Sequence, residues 1–163
     1  MSNRPQMTDL LSAYFHPDRH AVEIPIYSIV TDDKVDEGYV SEMECSIEDL
    51  ESIKPIVVIK HPRENIYAVL DGHHRLQVHR RMGAETIRAA VVDDYIGLGF
   101  KLTAEGRFQP SARFTRQVRV PIKRFVAQME TFLKDPRGML RRQLEVTRGR
   151  LQEAQERRVN RRG

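Results

Sequence analysis

The sequence has one cysteine, Cys45, and no tryptophan among its 163 residues. A lone cysteine cannot close a disulfide within the chain. That excludes a disulfide-stapled framework and suits a reducing, intracellular compartment. Long apolar runs are missing too. The longest, Ile56–Ile59 and Ile87–Val92 (the latter broken by Arg88), fall far short of a membrane span, which takes about 20 residues. The opening MSNRPQMTDLLSAYF lacks the basic-then-apolar order of a secretion signal. No internal repeat is evident, and only the arginine-rich end approaches low complexity. The expectation is a cytoplasmic protein with no membrane partner.

What is present suits a soluble domain with a real core: 40% of residues are hydrophobic and 31% charged. The net charge of +4 conceals an asymmetry. Residues 1–100 hold 10 basic and 17 acidic side chains, a balance of −7, whereas residues 101–163 hold 17 basic and 6 acidic, a balance of +11. A polyanion or an acidic partner is therefore an expectation for the basic end.

Hydropathy patterning divides the chain into four parts. Residues 1–20 read as a lead-in with one short helix around Asp9 to Tyr14. In residues 21–96, VEIPIYSIV is apolar and β-branched, and predicts a strand bent at Pro25 or lying at an edge. Asp36 can cap a short helix with Val40, Met43 and Cys45 facing inward, and Ser46 with Asp49 can cap another. PIVVIK and IYAVL predict two strands of a hairpin. Leu76, Val78 or His79, and Met82 recur at helical spacing before Gly83, and TIRAAVVD predicts a fourth strand. Residues 97–120 are rich in Gly, Phe and Arg without a period, and read as a linker or a partner-ordered loop. In residues 121–163 a helix starts at Pro121 with a stripe through Ile122, Phe125, Val126, Met129, Phe132 and Leu133, and Asp135–Gly138 breaks it. A second helix, about Met139 to Arg158, spaces Leu140, Leu144, Thr147, Leu151 and Ala154 by fours and threes. The fold class is α+β: a small mixed sheet with packed helices, followed by C-terminal helices.

The chemistry concentrates at Asp71-Gly72-His73-His74-Arg75. Gly72 permits a sharp turn from a strand into a helix. The helix start offers backbone N–H groups and a partial positive charge, to which His73, His74 and Arg75 add donors. Such a site suits a phosphate or another anion, with Asp71 orienting an imidazole or holding an accompanying metal. A capped helix start with surface histidines explains the same residues without a ligand.

The order PIVVIK, then YAVLDGHHRLQVHRRMGAETIRAAVVDDY, resembles the ParB/sulfiredoxin superfamily over roughly residues 22–95. That family carries a strand, a Gly-x-x-Arg loop opening a helix, a glycine about ten residues on, and a final short strand. The resemblance implies a nucleotide-phosphate site at Asp71, Gly72, His73, His74 and Arg75, with ATP, ADP or CTP as ligand and Mg2+ as companion. Sulfiredoxin-like enzymes place a nucleophilic cysteine where this loop has His73. Cys45 lies in an acidic stretch outside that loop, so sulfinic-acid repair is not implied. Chromosome-partition members show Gly-Glu-Arg-Arg in the loop, which this sequence lacks, and residues beyond 100 do not pattern as their helix-turn-helix domain. The DGHHR form looks more like free-standing members that include nucleotide-dependent serine kinases. These use a carboxylate after the first strand as base for the substrate hydroxyl. Asp32 and Asp33 are the nearest candidates here, where a glutamate is usual.

The remaining features divide similarly. His16 and His20 stand four apart around Pro17, without a third ligand for zinc, so no metal site is expected. His79 can pack in the core or point back to the loop. Arg141, Arg142, Arg148, Arg150, Arg157, Arg158, Arg161 and Arg162 suit nucleic-acid phosphates or a solvated helix. The loop holding Arg107, Phe108, Arg113, Phe114, Arg116 and Arg119 suits single-strand stacking or a contact with the acidic half. The favoured expectation is nucleotide-phosphate binding with phosphoryl transfer or hydrolysis. The alternative is a DNA-binding or nuclease-like accessory protein of plasmid, phage or chromosome maintenance, and a third is an interaction module that forms a homodimer through its C-terminal helices.

Overall fold

A computed structural model of the chain describes residues 10–31, 35–111 and 120–162. Its elements run α1 (Leu10–Phe15), α2 (Pro17–His20), β1 (Ala21–Pro25), β2 (Ile29–Val30), α3 (Glu37–Ser46), β3 (Ile56–Lys60), β4 (Tyr67–Asp71), α4 (His73–Arg81), β5 (Thr86–Val92), β6 (Phe100–Leu102), β7 (Phe108–Pro110), α5 (Val120–Lys134) and α6 (Pro136–Asn160). This is the α+β architecture expected, a mixed sheet with packed helices and a helical C-terminal part. Among the described residues no helix is long and apolar enough to cross a membrane.

Five strands form one sheet in the order β1-β5-β3-β4-β2. β1 with β5 and β3 with β4 are antiparallel, whereas β3 with β5 and β2 with β4 are parallel. The apolar run of β3 follows from its central place. Ile56 and Val58 join Leu76 of α4 in one cluster. Val57 packs with Ala13 of α1, and Ile59 with Met129, Phe132 and Met139 of α5 and α6. Alternate side chains thus meet helices on opposite faces, so β3 has no polar side.

VEIPIYSIV was expected as one strand and is two. Pro25 ends β1 at one edge of the sheet, residues Ile26–Ser28 make a 3-10 turn, and Ile29–Val30 pair with Tyr67 and Ala68 at the other edge. Four Cα steps reach at most about 15 Å, whereas four interstrand spacings in a flat sheet are about 19 Å. The sheet must therefore curl so that its edges approach. Proline lacks the N–H that would continue the ladder, which accounts for the break at Pro25.

Asp36 caps α3 by accepting from the Tyr39 N–H at 3.1 Å, and Val40 is buried as expected. Cys45 faces outward instead of inward. The next turn, Leu50–Ser52, is capped by Asp49 alone, because Ser46 is still the last residue of α3. Met82 is exposed, since α4 ends one residue before it.

The stretch expected to be a loop holds a hairpin through residue 110. Phe100 and Leu102 pair with Pro110 and Phe108, Phe100 is buried, and Phe108 stacks on Tyr95 at 4.5 Å. Residues 112–119 lie outside the described residues. The interruption between the last two helices is shorter than expected: Asp135 accepts from the Gly138 N–H at 3.0 Å and caps α6, with Pro136 as its first residue. Met129, Phe132 and Met139 share a buried cluster with Val30, Ile59, Tyr95 and Phe100. The start of the C-terminal region is thus part of the main core. Beyond it, Leu144, Val146 and Val159 are exposed along α6.

Candidate functional site: the strand-turn-helix at Gly72

β4 delivers the chain to Gly72, whose φ of 105° lies in the left-handed region that glycine adopts without a Cβ penalty. A Cβ here would stand 2.5 Å from Ile56 Cγ2 and 2.9 Å from Ile56 Cβ. Both conformation and space therefore require glycine. α4 opens directly after it, with Gly72 as N-cap and a Leu76 N–H to Gly72 carbonyl bond of 2.9 Å. The first-turn amides of His73, His74 and Arg75 have no carbonyl one turn earlier to pair with inside the helix. Together with the helix dipole, this makes the turn a place for an anion.

The five residues expected to form the site sit together here, but they differ in what holds them. Arg75 donates from Nη1 to the carbonyls of Lys54 (3.0 Å) and Pro55 (2.7 Å), and from Nη2 to Asp71 Oδ2 (2.9 Å). Three of its five N–H donors thus tie β4, α4 and the approach to β3 into one clamp over Gly72. Asp71, a candidate to orient an imidazole, pairs with Arg75 through Oδ2. His73 Nδ1 shares a 2.5 Å hydrogen bond with Thr31 Oγ1. His74 Nε2 accepts from the Asp36 N–H at 3.3 Å, and its ring meets that of Tyr39 edge-on at 4.9 Å. His79 is buried, with Nδ1 2.8 Å from the Arg75 carbonyl oxygen one helical turn earlier.

Asp32 and Asp33 lie outside the described residues. Thr31, directly before them in the sequence, bonds His73 at the turn. Thr31 was not singled out by sequence reasoning, although its place at the head of TDDK was a usable signal. Gln143 was missed altogether. Its Oε1 accepts from the Thr31 N–H at 2.7 Å and its Nε2 donates to the Ile29 carbonyl at 2.9 Å. Arg80 Nη2 donates to the same carbonyl at 3.0 Å, and burial pushes its guanidinium down to about 10, still cationic at neutral pH.

A second set of contacts fixes the C-terminal helices to the β3–β4 turn. His61 is buried, accepts at Nδ1 from the N–H groups of Arg63 (3.1 Å) and Glu64 (3.2 Å), and pairs at Nε2 with the Leu133 carbonyl at 3.1 Å. Its ring lies edge-on to Phe132 at 5.3 Å. Burial is the main cause that lowers its pKa, and Arg63 and Lys60 act in the same direction. Arg137 pairs with Glu64 at 2.9 Å nearby. His20, considered above for zinc, bonds Ser12 Oγ at 2.8 Å. Among the described residues no group of three or more His, Cys, Asp or Glu stands close enough to hold a metal ion.

Comparison with known proteins gives a family for the part that contains the turn. The family model of the ParB N-terminal domain matches residues 17–96. No curated protein matches the sequence. Among solved structures, a free serine kinase in complex with AMP aligns with 23% identity and a TM-score of 0.42, over 47% of this chain and 32% of that one. Sulfiredoxin from Arabidopsis thaliana aligns with 28% identity and a TM-score of 0.39, over 45% of this chain and 84% of that one. A C-terminally truncated chromosome-partitioning protein ParB from Caulobacter crescentus, complexed with CTP-gamma-S, aligns with 21% identity and a TM-score of 0.40, over 48% of this chain and 50% of that one. The chain thus spans about a third of the kinase's length. Residues 17–96, just under half of the chain, thus match a ParB N-terminal domain, in line with the resemblance read over roughly residues 22–95.

Proposed function

We propose that the domain binds a nucleoside di- or triphosphate (ATP, ADP or CTP), with its phosphates against the turn at Asp71, Gly72, His73, His74 and Arg75. The observation that carries this reading is the left-handed Gly72 opening α4, with two imidazoles held at the first turn. The amides and the histidines would grip phosphate oxygens. Arg75, with Asp71, keeps the turn in shape and lends its charge. A nucleotide bound there supplies a transferable phosphoryl group, and Mg2+ would travel with it. Asp32 and Asp33 are our candidates for the base that takes a proton from an acceptor hydroxyl or water, since phosphoryl transfer needs little beyond alignment, charge neutralisation and such a base. In this reading residues 21–96 are the nucleotide domain of a cytoplasmic protein, residues 1–20 its lead-in, residues 97–120 a connector and residues 121–163 a helical extension.

The test is calorimetric titration of ATP, ADP and CTP into wild type, His73→Ala and Arg75→Ala, with circular dichroism to confirm folding. Wild type should bind at least one of the three, and both variants should bind it about tenfold more weakly or not at all. Equal affinity in all three proteins, or no binding to wild type, overturns the reading. For transfer, Asp32→Asn and Asp33→Asn should retain binding, and at least one should lose turnover followed by phosphorus NMR.

The second reading is a nucleic-acid contact through α6. Arg141, Arg142, Arg148, Arg157, Arg158, Arg161 and Arg162 are all exposed on or just after that helix. Removal of residues 148–163 spares Met139 and Gln143 and should abolish a salt-sensitive DNA shift. A shift that persists unchanged defeats this reading. Self-association into a homodimer through the C-terminal helices is read in parallel by sedimentation.

A further inference from the structure

We infer that Gln143, on the C-terminal helix, is a positioning residue for the ligand turn and acts on His73 through Thr31. The inference rests on the nucleotide reading for what the turn holds, but not for the contacts that carry it. β2 is an edge strand of two residues, so one side of its backbone has no strand partner. The Gln143 carboxamide takes that place: Oε1 accepts from the Thr31 N–H at 2.7 Å while Nε2 donates to the Ile29 carbonyl at 2.9 Å. One side-chain amide thus does what a peptide unit of a neighbouring strand would do. Thr31 is thereby held by its backbone, and its hydroxyl bonds His73 Nδ1 at 2.5 Å. α4 is anchored to the same short segment again at its far end, where Arg80 meets the Ile29 carbonyl at 3.0 Å. Both ends of the helix that opens the ligand turn are therefore referred to residues 29–31, and α6 fixes that segment. The Thr31 bond holds the orientation of the His73 ring at Nδ1, and so what the ring can offer a phosphate.

The experiment combines nitrogen-15 NMR of the imidazoles with a double-mutant cycle. In the nucleotide-free protein, Gln143→Ala should move the His73 ring nitrogen shifts toward tautomer-averaged values, as Thr31→Val should. With nucleotide, Gln143→Ala should weaken affinity about fivefold in the wild-type background and less than about twofold in the Thr31→Val background, because the path is already cut. A merely structural glutamine would lower thermal stability yet leave the His73 shifts and the affinity as they were, and that result overturns the inference. Full additivity of the two substitutions in affinity overturns it as well. If wild type binds no nucleotide, the ligand reading falls while the ring shifts still decide this one: altered shifts uphold the positioning, and unaltered shifts defeat it.

Discussion

Replacing Gly72 by alanine should be the most damaging single-atom addition at the turn. The φ of 105° places an L-residue in a region that costs of order 1–3 kcal/mol to hold. The new Cβ would also stand 2.5 Å from Ile56 Cγ2, 2.9 Å from Ile56 Cβ and 3.1 Å from Arg75 Nη2. The arginine end can swing, but Ile56 is fully buried and β-branched on the central strand, so it can yield only by moving β3. Overpacking of this kind costs about 1–3 kcal/mol, and the two effects together come to about 2–6 kcal/mol. That is a large part of the about 5–15 kcal/mol that holds an ordinary domain. Urea unfolding of wild type and Gly72→Ala at constant slope measures the loss from the shift in midpoint. Ile56→Ala removes the nearest atom, so the double variant should be less destabilised than the sum of the singles by about 1–2 kcal/mol. A loss below about 1 kcal/mol, or strict additivity with Ile56→Ala, would falsify the account of this turn.

Three further expectations follow from other contacts. His61 is disfavoured as a cation in the folded protein, so stability should be full above its ordinary pKa of 6.5 and should fall as pH drops from there toward the lowered folded value. His61→Gln should flatten that dependence between pH 7.5 and 5.5 in urea midpoints, and an unchanged slope would count against the assignment. Arg75→Lys keeps the charge but loses the two-carbonyl fork to Lys54 and Pro55, and should cost about 1–3 kcal/mol in the same assay; a neutral result would mean the clamp contributes nothing. Phe132→Ala, which empties a fully buried site between α5 and the sheet, should cost about 3–5 kcal/mol, whereas deletion of residues 148–163 should leave the thermal midpoint nearly unchanged. Equal damage from both would contradict the placement of the core.

The sequence by itself determined the local geometry. Apolar, β-branched runs named the strands at Ile56–Lys60, Tyr67–Asp71 and Thr86–Val92. Asp36 as a cap, Gly72 as a turn and Gly83 as a stop were readable because each is a demand on backbone angles or on an unpaired N–H, made by the residue itself. The same holds for the residues gathered at the Gly72 turn, which are consecutive. Only the tertiary structure decided which groups these elements would meet. Nothing in VEIPIYSIV says that its two halves lie at opposite edges of one sheet, since that depends on how three other strands fill the space between. Arg75 reads as a donor at a helix start, and only the fold brings the carbonyls of Lys54 and Pro55 beside it. Gln143 carries no local signal at all, because its partners Ile29 and Thr31 stand more than a hundred residues earlier. Backbone preference is written in neighbouring residues, whereas hydrogen-bond and core partners are chosen by contacts between segments that only folding brings together.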